Sequence, residues 1–298
     1  MKVSVIQNCH NGEKFLENSL ESLVSQTYKD FELIFFDNKS SDNSKKVFDK
    51  FKDKRFKYFY SNEKLKLYNA RNLAIKESSG DLIAFLDTDD WWTKNKLMEQ
   101  VKSFEQNNLI DVSYSNYFIH NQLIKKNKLN SKKILPSGNI TDQIIDDYKI
   151  GILTVMLKAK IFFQDNMWFD KNLTILGDFD FFLRLSKYFF FNYIDSPLAF
   201  YRNHQGNYSN LNFTEELEEF NYFISKKETK ILLNSDQINN LKLSYNINKN
   251  EYSKLSNINN KIYEASNKSL SFNKIKNLFV LYIKKIILVV TFKYFKKN

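Results

Sequence analysis

The sequence predicts an α/β fold, with a Rossmann-like, mainly parallel sheet that has helices on both faces, followed by a helical C-terminal region. Short apolar runs alternate with segments of helical spacing in the first third of the chain. Polar and acidic residues directly follow several of these apolar runs. Because open α/β sheets bind ligands at the carboxyl ends of their strands, these residues predict a functional edge.

The first elements form a predicted βαβ unit. Residues 3–7 and 31–36 are apolar enough for buried strands, and residues 13–25 carry apolar side chains at helical spacing. The alternation continues with a polar helix, a strand, a helix and a strand at residues 42–52, 56–60, 69–78 and 82–86. Strands joined by helices in this order predict parallel pairing with right-handed crossovers.

The second part of the chain completes the predicted sheet. A helix at 94–106 leads to an aromatic, Asn-rich stretch at 114–119 and to a basic loop at 125–133 that we expect to be mobile. An apolar passage, a helix and a strand follow at residues 152–157, 178–188 and 190–201. We therefore predict one domain at 1–210, with two halves that meet at about residue 110, and a helical region at 211–298.

Composition places the protein in a globular class and favours a reducing compartment. The chain has 298 residues, 43% apolar content and a single cysteine, Cys9, which excludes an internal disulfide framework. Residues 1–15 lack a basic segment followed by a long apolar one, so we expect a cytoplasmic protein. The net charge is +11, and residues 271–298 contribute seven lysines and no acid.

The acidic cluster Asp87-Thr88-Asp89-Asp90 directly follows the strand predicted at 82–86. Three carboxylates within four residues repel one another unless a cation compensates them, and hard oxygen ligands suit a divalent metal. The alternative for such a cluster is a helix N-cap, in which Asp90 or Thr93 caps the helix that follows.

A series of short motifs resembles the opening of family 2 glycosyltransferases of the GT-A fold, of the bacterial surface-polysaccharide type. The similarity covers roughly residues 1–210. The motifs, in order, are Ser25-Gln26-Thr27-Tyr28, Asp37-Asn38, Ala70-Arg71-Asn72, Ser79-Gly80-Asp81 and the Asp-x-Asp motif Asp87-Thr88-Asp89. The resemblance implies a nucleotide-sugar donor, a divalent metal and an inverting transfer, with a nucleotide half at about 1–110 and an acceptor half at about 111–210.

On this resemblance, Asn8 and His10 cradle the donor nucleotide, and the ring of His10 stacks on the base where a Tyr is usual. Asp37 and Asn38 read the base and ribose, although the family usually has two Asp residues there. Arg71 contacts the nucleotide through its planar guanidinium. The alternatives are a solvated loop residue at position 10, an Asx turn at Asp37 and a surface ion pair at Arg71.

The resemblance also implies the metal ligands. Asp87 contacts the ribose and the metal shell, and Asp89 coordinates the Mn²⁺ or Mg²⁺ that bridges the donor diphosphate. His204 lies in the segment Tyr201-Arg202-Asn203-His204, which matches the family's Tyr-Arg-x-His element, and binds the metal or the diphosphate.

The catalytic base implied by the resemblance is Asp178, aligned on Leu183-Arg184-Leu185 downstream. Many family members have Glu before this residue, where the present chain has Gly177. Asp180 is the weaker candidate for the base, and a helix N-terminal cap is the structural alternative for either carboxylate. Contacts to the acceptor are expected from Trp91, Trp92, Asp180 and the basic loop at 125–133.

The leading functional hypothesis is an inverting, metal-dependent transferase that moves a sugar, with a UDP-sugar favoured as donor, to a saccharide. The acceptor is expected to be a lipid-linked glycan, lipopolysaccharide or capsule. A sugar nucleotidyltransferase should carry a Gly-rich basic loop near the N-terminus, which residues 7–12 lack. A noncatalytic saccharide-binding module stays open, whereas carboxylates at the sheet edge disfavour nucleic acid. The sequence leaves a homo-oligomer open.

The basic C-terminal tail is predicted to form an interfacial helix on an anionic inner leaflet, in residues 271–298. Residues 275–295 are long enough to span a bilayer, but Lys284 and Lys285 at the centre would each cost about 2.5 to 3.5 kcal/mol. The alternative, left open, is a terminal helix packed on the domain or on a second subunit.

Overall fold

The computed structural model describes residues 1–208, 213–239 and 241–242. The chain divides into two compact units, residues 1–226 and 227–298. In the second unit, a helix at Lys227–Leu232 agrees with the predicted helical region. The predicted tail at 271–298 lies outside the described residues, and the predicted boundaries near 110 and 210 stay predictions.

The first half of the first unit is a parallel α/β layer whose elements were all predicted, with ends that differ by a few residues. Its strands pair in the order β3-β2-β1-β4, and every pair is parallel. The elements are β1 (Val3–Cys9), α1 (Glu13–Val24), β2 (Phe31–Asp37), α2 (Ser44–Asp49), β3 (Phe56–Tyr60), α3 (Leu67–Lys76) and β4 (Leu82–Phe85).

The second half extends the same sheet with strands of both directions. The full order is β3-β2-β1-β4-β8-β6-β9-β5, with β7 paired to β6. Strands β6 and β9 are parallel, whereas β8 runs antiparallel to both β4 and β6. The elements are β5 (Trp91–Trp92), α4 (Lys96–Gln106), β6 (Val112–Asn121), β7 (Lys126–Leu129), α5 (Thr141–Asp146), a 3₁₀ turn (Ile152–Thr154), β8 (Met156–Lys158), α6 (Lys160–Phe163), α7 (Gly177–Ser186), β9 (Phe191–Asn203) and α8 (Phe213–Ser225).

The predicted α/β fold is confirmed, and its central strands show why. Strands β1, β2 and β4 are buried along their whole lengths. Continuous burial is typical of parallel strands that are covered on both faces, and it accounts for their nearly unbroken apolar sequence. Since β2, β1 and β4 are neighbours that run in one direction, their carboxyl ends meet at one edge.

The basic segment at 125–133 is a correction to the sequence analysis. Instead of a loop throughout, it contains β7, which pairs antiparallel with β6 from Phe118 opposite Leu129 to Asn121 opposite Lys126. The side chains of β7 are exposed except for that of Leu129, so the strand lacks the alternating pattern that identifies a half-buried strand. No helix among the described residues is long and apolar enough to cross a membrane.

The opposite, amino-terminal edge of the sheet holds a buried carboxylate, Glu32. The hydroxyl of Ser4 and the backbone and hydroxyl of Ser79 donate to one oxygen, at 2.6 to 2.9 Å. The ammonium groups of Lys2 and Lys57 lie 3.0 and 2.7 Å from the other. Burial alone would raise the pKa of Glu32, but these donors outweigh it and lower the pKa to about 2.

We expect Glu32→Gln to lower the free energy of unfolding by about 2 kcal/mol at pH 7, because charge-assisted bonds from the lysines are lost. The folded pKa of Glu32, about 2, lies below its ordinary value of 4.5, so this stabilisation is complete above pH 4.5 and disappears as the pH falls towards 2. Urea unfolding at pH 7 and pH 3 measures both effects, with exposed Glu63→Gln as the control. Equal stability of Glu32→Gln and the parent at pH 7 would contradict this account.

Candidate functional site

The predicted donor residues lie at the carboxyl ends of β1, β2 and β4. In the register of the sheet, Asn8 is opposite Phe36 and Cys9 is opposite Asp37, while Asp87 follows the end of β4. The edge therefore brings together residues that are far apart in the sequence, as the fold class requires.

Asn8 is a buried residue with unused hydrogen-bonding capacity. Neither its side-chain nitrogen nor its side-chain oxygen has a partner among the described residues. Because an unpaired buried amide costs free energy, a ligand that bonds to this amide would gain affinity. His10 is exposed beside it, and its Nδ1 lies 2.9 Å from the carbonyl oxygen of Asn38, which sets the orientation of the ring.

Asp37 and Asn38 reach the same edge, but other protein groups occupy their side chains. The amide of Ser40 donates to Asp37 at 2.7 Å, and the hydroxyl of Tyr58 donates to its other oxygen at 2.6 Å. The amide group of Asn38 bonds the backbone of Leu65 in both directions, each at 2.9 Å. The side chain of Asp37 thus stabilises the turn after β2 through an amide three residues on, and direct contact of either residue with a nucleotide stays a prediction.

Arg71 and Asp87 form an ion pair at the floor of the site, with 2.5 Å between Nη2 and Oδ1. Arg71 is buried, so the alternative of a surface ion pair is wrong. Its Nε and Nη1 atoms have no partner among the described residues, which leaves two donors for an anionic or polar ligand. About 32% of the Asp87 side chain is exposed. Desolvation by the surrounding protein still raises the pKa of Asp87, although the charge of Arg71 acts to lower it.

Asp89 and His204 are brought together from distant parts of the chain, with 3.0 Å between Oδ2 and Nε2. The backbone amide of Gly206 donates to Nδ1 of the same ring at 3.1 Å. A neutral His204 therefore carries its proton on Nε2 and donates it to Asp89. The ring also packs on Phe15, with 4.7 Å between centroids.

This geometry tests the three predicted metal ligands. Asp89 and His204 are in contact, whereas Asp87 faces Arg71. Within the described residues, no group of three or more His, Cys, Asp or Glu side chains converges as a metal site. A carboxylate oxygen and an imidazole nitrogen are suitable ligands for Mn²⁺, but Nε2 of His204 can bind a metal only after it gives up the proton that it donates to Asp89.

Arg202 is a residue whose role the sequence analysis missed, although it lies in the Tyr-Arg-x-His element. Its guanidinium donates to the backbone oxygen of Asp89 at 2.7 Å and to the side chains of Gln122 and Asn18 at 2.8 and 2.6 Å. It also lies 4.4 Å from the ring centroid of Trp91. Arg202 thus joins the acidic loop to α1 and to the end of β6.

The capping alternative for the acidic cluster is wrong. The carboxylate of Asp90 is buried and accepts the backbone amide of Arg202 at 2.8 Å. Burial and the neighbouring Asp89 raise the pKa of Asp90 well above its ordinary value. Helix α4 begins only at Lys96, and its N-cap position has no side-chain cap. The hydroxyl of Thr93 instead bonds Leu198, on β9, at 3.2 Å.

Trp92 and Asp180 are corrections among the predicted acceptor residues. Trp92 is 3% exposed, and its indole donates to the carbonyl of Leu153 at 2.8 Å, so it belongs to the core. Asp180 is buried and pairs with Arg184 at 2.9 Å and with Lys226 at 2.5 Å. Neither side chain is available to an acceptor.

Trp91 keeps its place as a candidate, and its ring is half-buried against Phe200 at 4.9 Å between centroids. This stack holds the ring beside Arg202, at the end of the sheet where the acidic loop lies. Contact of Trp91 with an acceptor therefore stays a prediction.

Asp178, the predicted base, lies at the start of α7 and comes within electrostatic range of Arg71 and Asp87. Burial raises its pKa to about 6, although the Phe179 amide, which donates at 2.8 Å, and the nearby Tyr148 hydroxyl both act to lower it. A carboxyl with this pKa is ionised at neutral pH and is a stronger base than an ordinary aspartate.

Glu219, on α8, is a second residue that sequence analysis missed. It accepts the backbone amides of Thr174, Ile175 and Leu176, at 2.5 to 2.9 Å, from a buried position. Glu219 therefore accepts the backbone N–H groups of the segment that leads into α7 and holds that segment in place. The N-cap position of α7, Leu176, has no side-chain cap, but the carboxylate of Asp178 accepts the first-turn amide of Phe179, so the capping alternative holds for Asp178 in part.

Tyr68 explains the glycine that precedes the predicted base. A Cβ atom at Gly177 would lie 2.1 Å from Cδ2 of the buried Tyr68 ring. The ring fills the space into which any side chain at 177 would extend. The departure from the family pattern at this position thus has a local steric cause.

A family profile described as Glycosyl transferase family 2 matches residues 4–174. The match includes the edge residues from Asn8 to Asp89 and ends before Asp178 and His204. Residue roles beyond position 174 therefore depend on the geometry described above.

Two relatives illustrate the similarity in sequence. The chain is 36% identical, over 155 residues, to UDP-Glc:alpha-D-GlcNAc-diphosphoundecaprenol beta-1,3-glucosyltransferase WfgD of Escherichia coli, which covers 52% of this chain and 59% of that protein. It is 30% identical, over 208 residues, to the uncharacterized glycosyltransferase MJ1057 of Methanocaldococcus jannaschii, covering 67% of this chain and 70% of that protein. The chain thus spans little more than half the length of WfgD.

Solved structures show the fold. Staphylococcus aureus TarS 1–349 in complex with UDP-GlcNAc matches with a TM-score of 0.61 at 18% identity, covering 76% of this chain and 68% of that one. The same protein in complex with UDP gives a TM-score of 0.60 at 19% identity, covering 76% of this chain and 67% of that one.

We expect Gly177→Ala to destabilise the protein by about 2 kcal/mol, because the new methyl group overlaps the Tyr68 ring and forces a backbone shift. Thermal unfolding of Gly177→Ala, Tyr68→Ala and the double variant measures the coupling. The loss of stability in the double variant should be smaller than the sum of the losses in the two single variants. Strict additivity would show that the two positions do not compete for the same space.

Proposed function

The chain belongs to glycosyl transferase family 2, and on that premise we propose an inverting, metal-dependent transfer of a sugar from a UDP-sugar to a lipid-linked saccharide. The observation that carries the proposal is the Asp178 carboxylate, whose pKa is about 6, within electrostatic range of Arg71 and Asp87 at the sheet edge. This observation supports Asp178 as the base, beside residues that the family resemblance assigns to the donor.

The nature of the donor is supported by the unused polar groups of the edge. The amide of Asn8 and two nitrogens of Arg71 lack partners among the described residues, and Arg71 is permanently charged. Together they offer donors to an anionic nucleotide and an acceptor to its base. UDP-GlcNAc and UDP in the two TarS structures and UDP-Glc in the name of WfgD favour a UDP-sugar.

Asp89 and His204 would hold a divalent cation in this proposal, since they contact each other and present suitable ligand atoms. Bound Mn²⁺ or Mg²⁺ would supply positive charge to the diphosphate as it leaves. Arg202 supports this arrangement by fixing the backbone of Asp89, with a bond of 2.7 Å.

The transfer itself is a single displacement. The acceptor hydroxyl attacks the anomeric carbon, the bond from that carbon to the diphosphate oxygen breaks, and Asp178 takes the hydroxyl proton. Attack opposite the leaving group inverts the anomeric centre. The raised pKa of Asp178 serves this step, because proton transfer from an alcohol becomes more favourable as the base becomes stronger.

The acceptor class is proposed from the relatives. WfgD is named for a sugar attached to diphosphoundecaprenol, a lipid-linked acceptor. We extend this class to the present chain as a lipid-linked glycan, with an expected location at the inner face of the cytoplasmic membrane, where such a substrate and a cytoplasmic nucleotide sugar can meet.

We expect Asp178→Asn to lower kcat/KM by about a thousandfold with little change in UDP affinity, because the amide cannot accept the proton. In the parent enzyme, kcat/KM should rise with pH and level off above about 6, since only the ionised carboxylate acts as base. Transfer assays between pH 5 and 8 measure both effects, with exposed Asp146→Asn as control. Activity of Asp178→Asn near that of the parent would remove Asp178 from the mechanism.

We expect Asp89→Ala to lose the metal-dependent part of donor binding, because it removes the carboxylate of the proposed metal pair. Calorimetric titration of UDP-, GDP- and dTDP-sugars, each with Mn²⁺ and with a chelator, should show at least a roughly tenfold metal effect for one donor in the parent and none in the variant. Asp165→Ala, at an exposed acid, is the matched control. A metal effect that survives in Asp89→Ala would contradict this assignment.

A further inference from the structure

The turn between β6 and β7, called here the hairpin tip and formed by residues 122–125, exposes large apolar side chains. Leu123 is 84% exposed and Ile124 is 59% exposed. Ile134, a short distance along the chain, is 78% exposed. Single exposed apolar residues are normal, but two adjacent ones at the end of a hairpin form a small exposed hydrophobic patch.

The hairpin tip is held in a defined conformation. The side-chain oxygen of Asn121 accepts the backbone amides of Leu123 and Ile124 at 3.0 and 3.1 Å. Lys125 has a φ of 50°, in the left-handed region that closes short hairpin turns. The tip therefore presents Leu123 and Ile124 outwards on an ordered turn, which lowers the entropic cost of docking them on a partner.

The surroundings of the hairpin tip are basic. Between Asp111 and Asp142 the chain contains five lysines and no acid. All five are exposed, namely Lys125, Lys126, Lys128, Lys132 and Lys133. Lysines beside exposed aliphatic side chains are typical of segments that bind anionic lipid surfaces. Single-stranded nucleic acid would instead require aromatic rings for base stacking, and the tip has none.

We propose that the hairpin tip docks on an anionic membrane surface, with Leu123 and Ile124 entering the boundary between headgroups and acyl chains. The lysines contact the anionic headgroups, where each contributes about a fivefold gain in binding. The role of this docking, which is to bring the enzyme to a lipid-linked acceptor, rests on the proposed function. The docking itself does not depend on catalysis.

The hairpin is directly connected to the candidate site. Gln122, at the base of the tip, accepts Nη1 of Arg202 at 2.8 Å, and the same guanidinium bonds the backbone of Asp89. The backbone of Gln122 also donates to Asn203 at 3.0 Å. A membrane that holds the tip would therefore lie near the strand ends that carry Asp89 and His204.

A fluorescent label at the tip tests the proposal in the full chain. In Leu123→Cys, an environment-sensitive dye attaches to the new thiol, because the native Cys9 is buried. Vesicles of phosphatidylcholine with one third phosphatidylglycerol should shift the emission to the blue and allow quenching by lipids that carry a spin label in the acyl chain. Vesicles of phosphatidylcholine alone should have a much smaller effect. Leu109→Cys, at a residue 67% exposed, is the control and should not respond.

Charge is tested by vesicle sedimentation of full-length variants. Lys125→Gln, Lys126→Gln and Lys128→Gln together should reduce binding to the anionic vesicles about a hundredfold at low salt. The matched control is the triple replacement of exposed Lys46, Lys52 and Lys54 by Gln. Vesicle binding without a response from the label at 123 would mean that another segment binds lipid, and it would overturn the proposal. Binding of single-stranded RNA with no lipid binding would also overturn it.

Catalysis and docking fail separately in this design. Leu123→Ser with Ile124→Ser should keep the parent rate on a water-soluble acceptor analogue and lose at least tenfold on acceptor in anionic vesicles. If the parent transfers no sugar at all, the proposed function fails while the label experiment still decides the docking. Equal rates of parent and variant on vesicle-bound acceptor would contradict a role of the tip in reaching its substrate.

Discussion

Mutual repulsion among three carboxylates after β4 is the constraint on which the site depends. Each carboxylate has a compensating group from another part of the chain, and the pairs are Asp87 with Arg71, Asp89 with His204, and Asp90 with the backbone amide of Arg202. These partners come from α3 and from the end of β9, so the acidic loop can keep its shape only when both halves of the sheet are assembled. The site is thus a product of the whole domain, because each carboxylate depends on a partner from another element.

The same constraint separates the roles of the carboxylates. Asp89 is partly exposed and lies beside an imidazole, whereas Asp178 approaches from α7 and is surrounded by protein. Burial raises the pKa of Asp178 to about 6, which suits a proton acceptor. Glu219 occupies the amides ahead of α7, and the Tyr68 ring occupies the space beside Gly177. The predicted base is therefore positioned by Tyr68 on α3 and Glu219 on α8, neither of which has a role in the proposed proton transfer.

The fold and the functional edge were predictable because their signals are local. Apolar runs followed by polar residues identify the strand ends, and parallel pairing then brings those ends together. Burial was not predictable in the same way. Trp92 and Asp180 follow or lie within motifs that suggest function, but Leu153 and Lys226, both far along the chain, bury them in structural contacts. Strand β7 was missed because pairing with β6, rather than burial of one of its faces, defines it.

Charge is distributed over the domain in a way that links these observations. The carboxylates of the edge would repel an anionic membrane as they would repel an uncompensated diphosphate, whereas the hairpin between Asp111 and Asp142 carries only positive charge. Arg202 spans the two regions, since it bonds both Asp89 and Gln122. An anionic surface that approaches the domain would therefore be attracted through the hairpin and would lie near the acidic edge without binding to it. This polarity would leave the edge open to a nucleotide sugar from the aqueous side while the hairpin faces lipid.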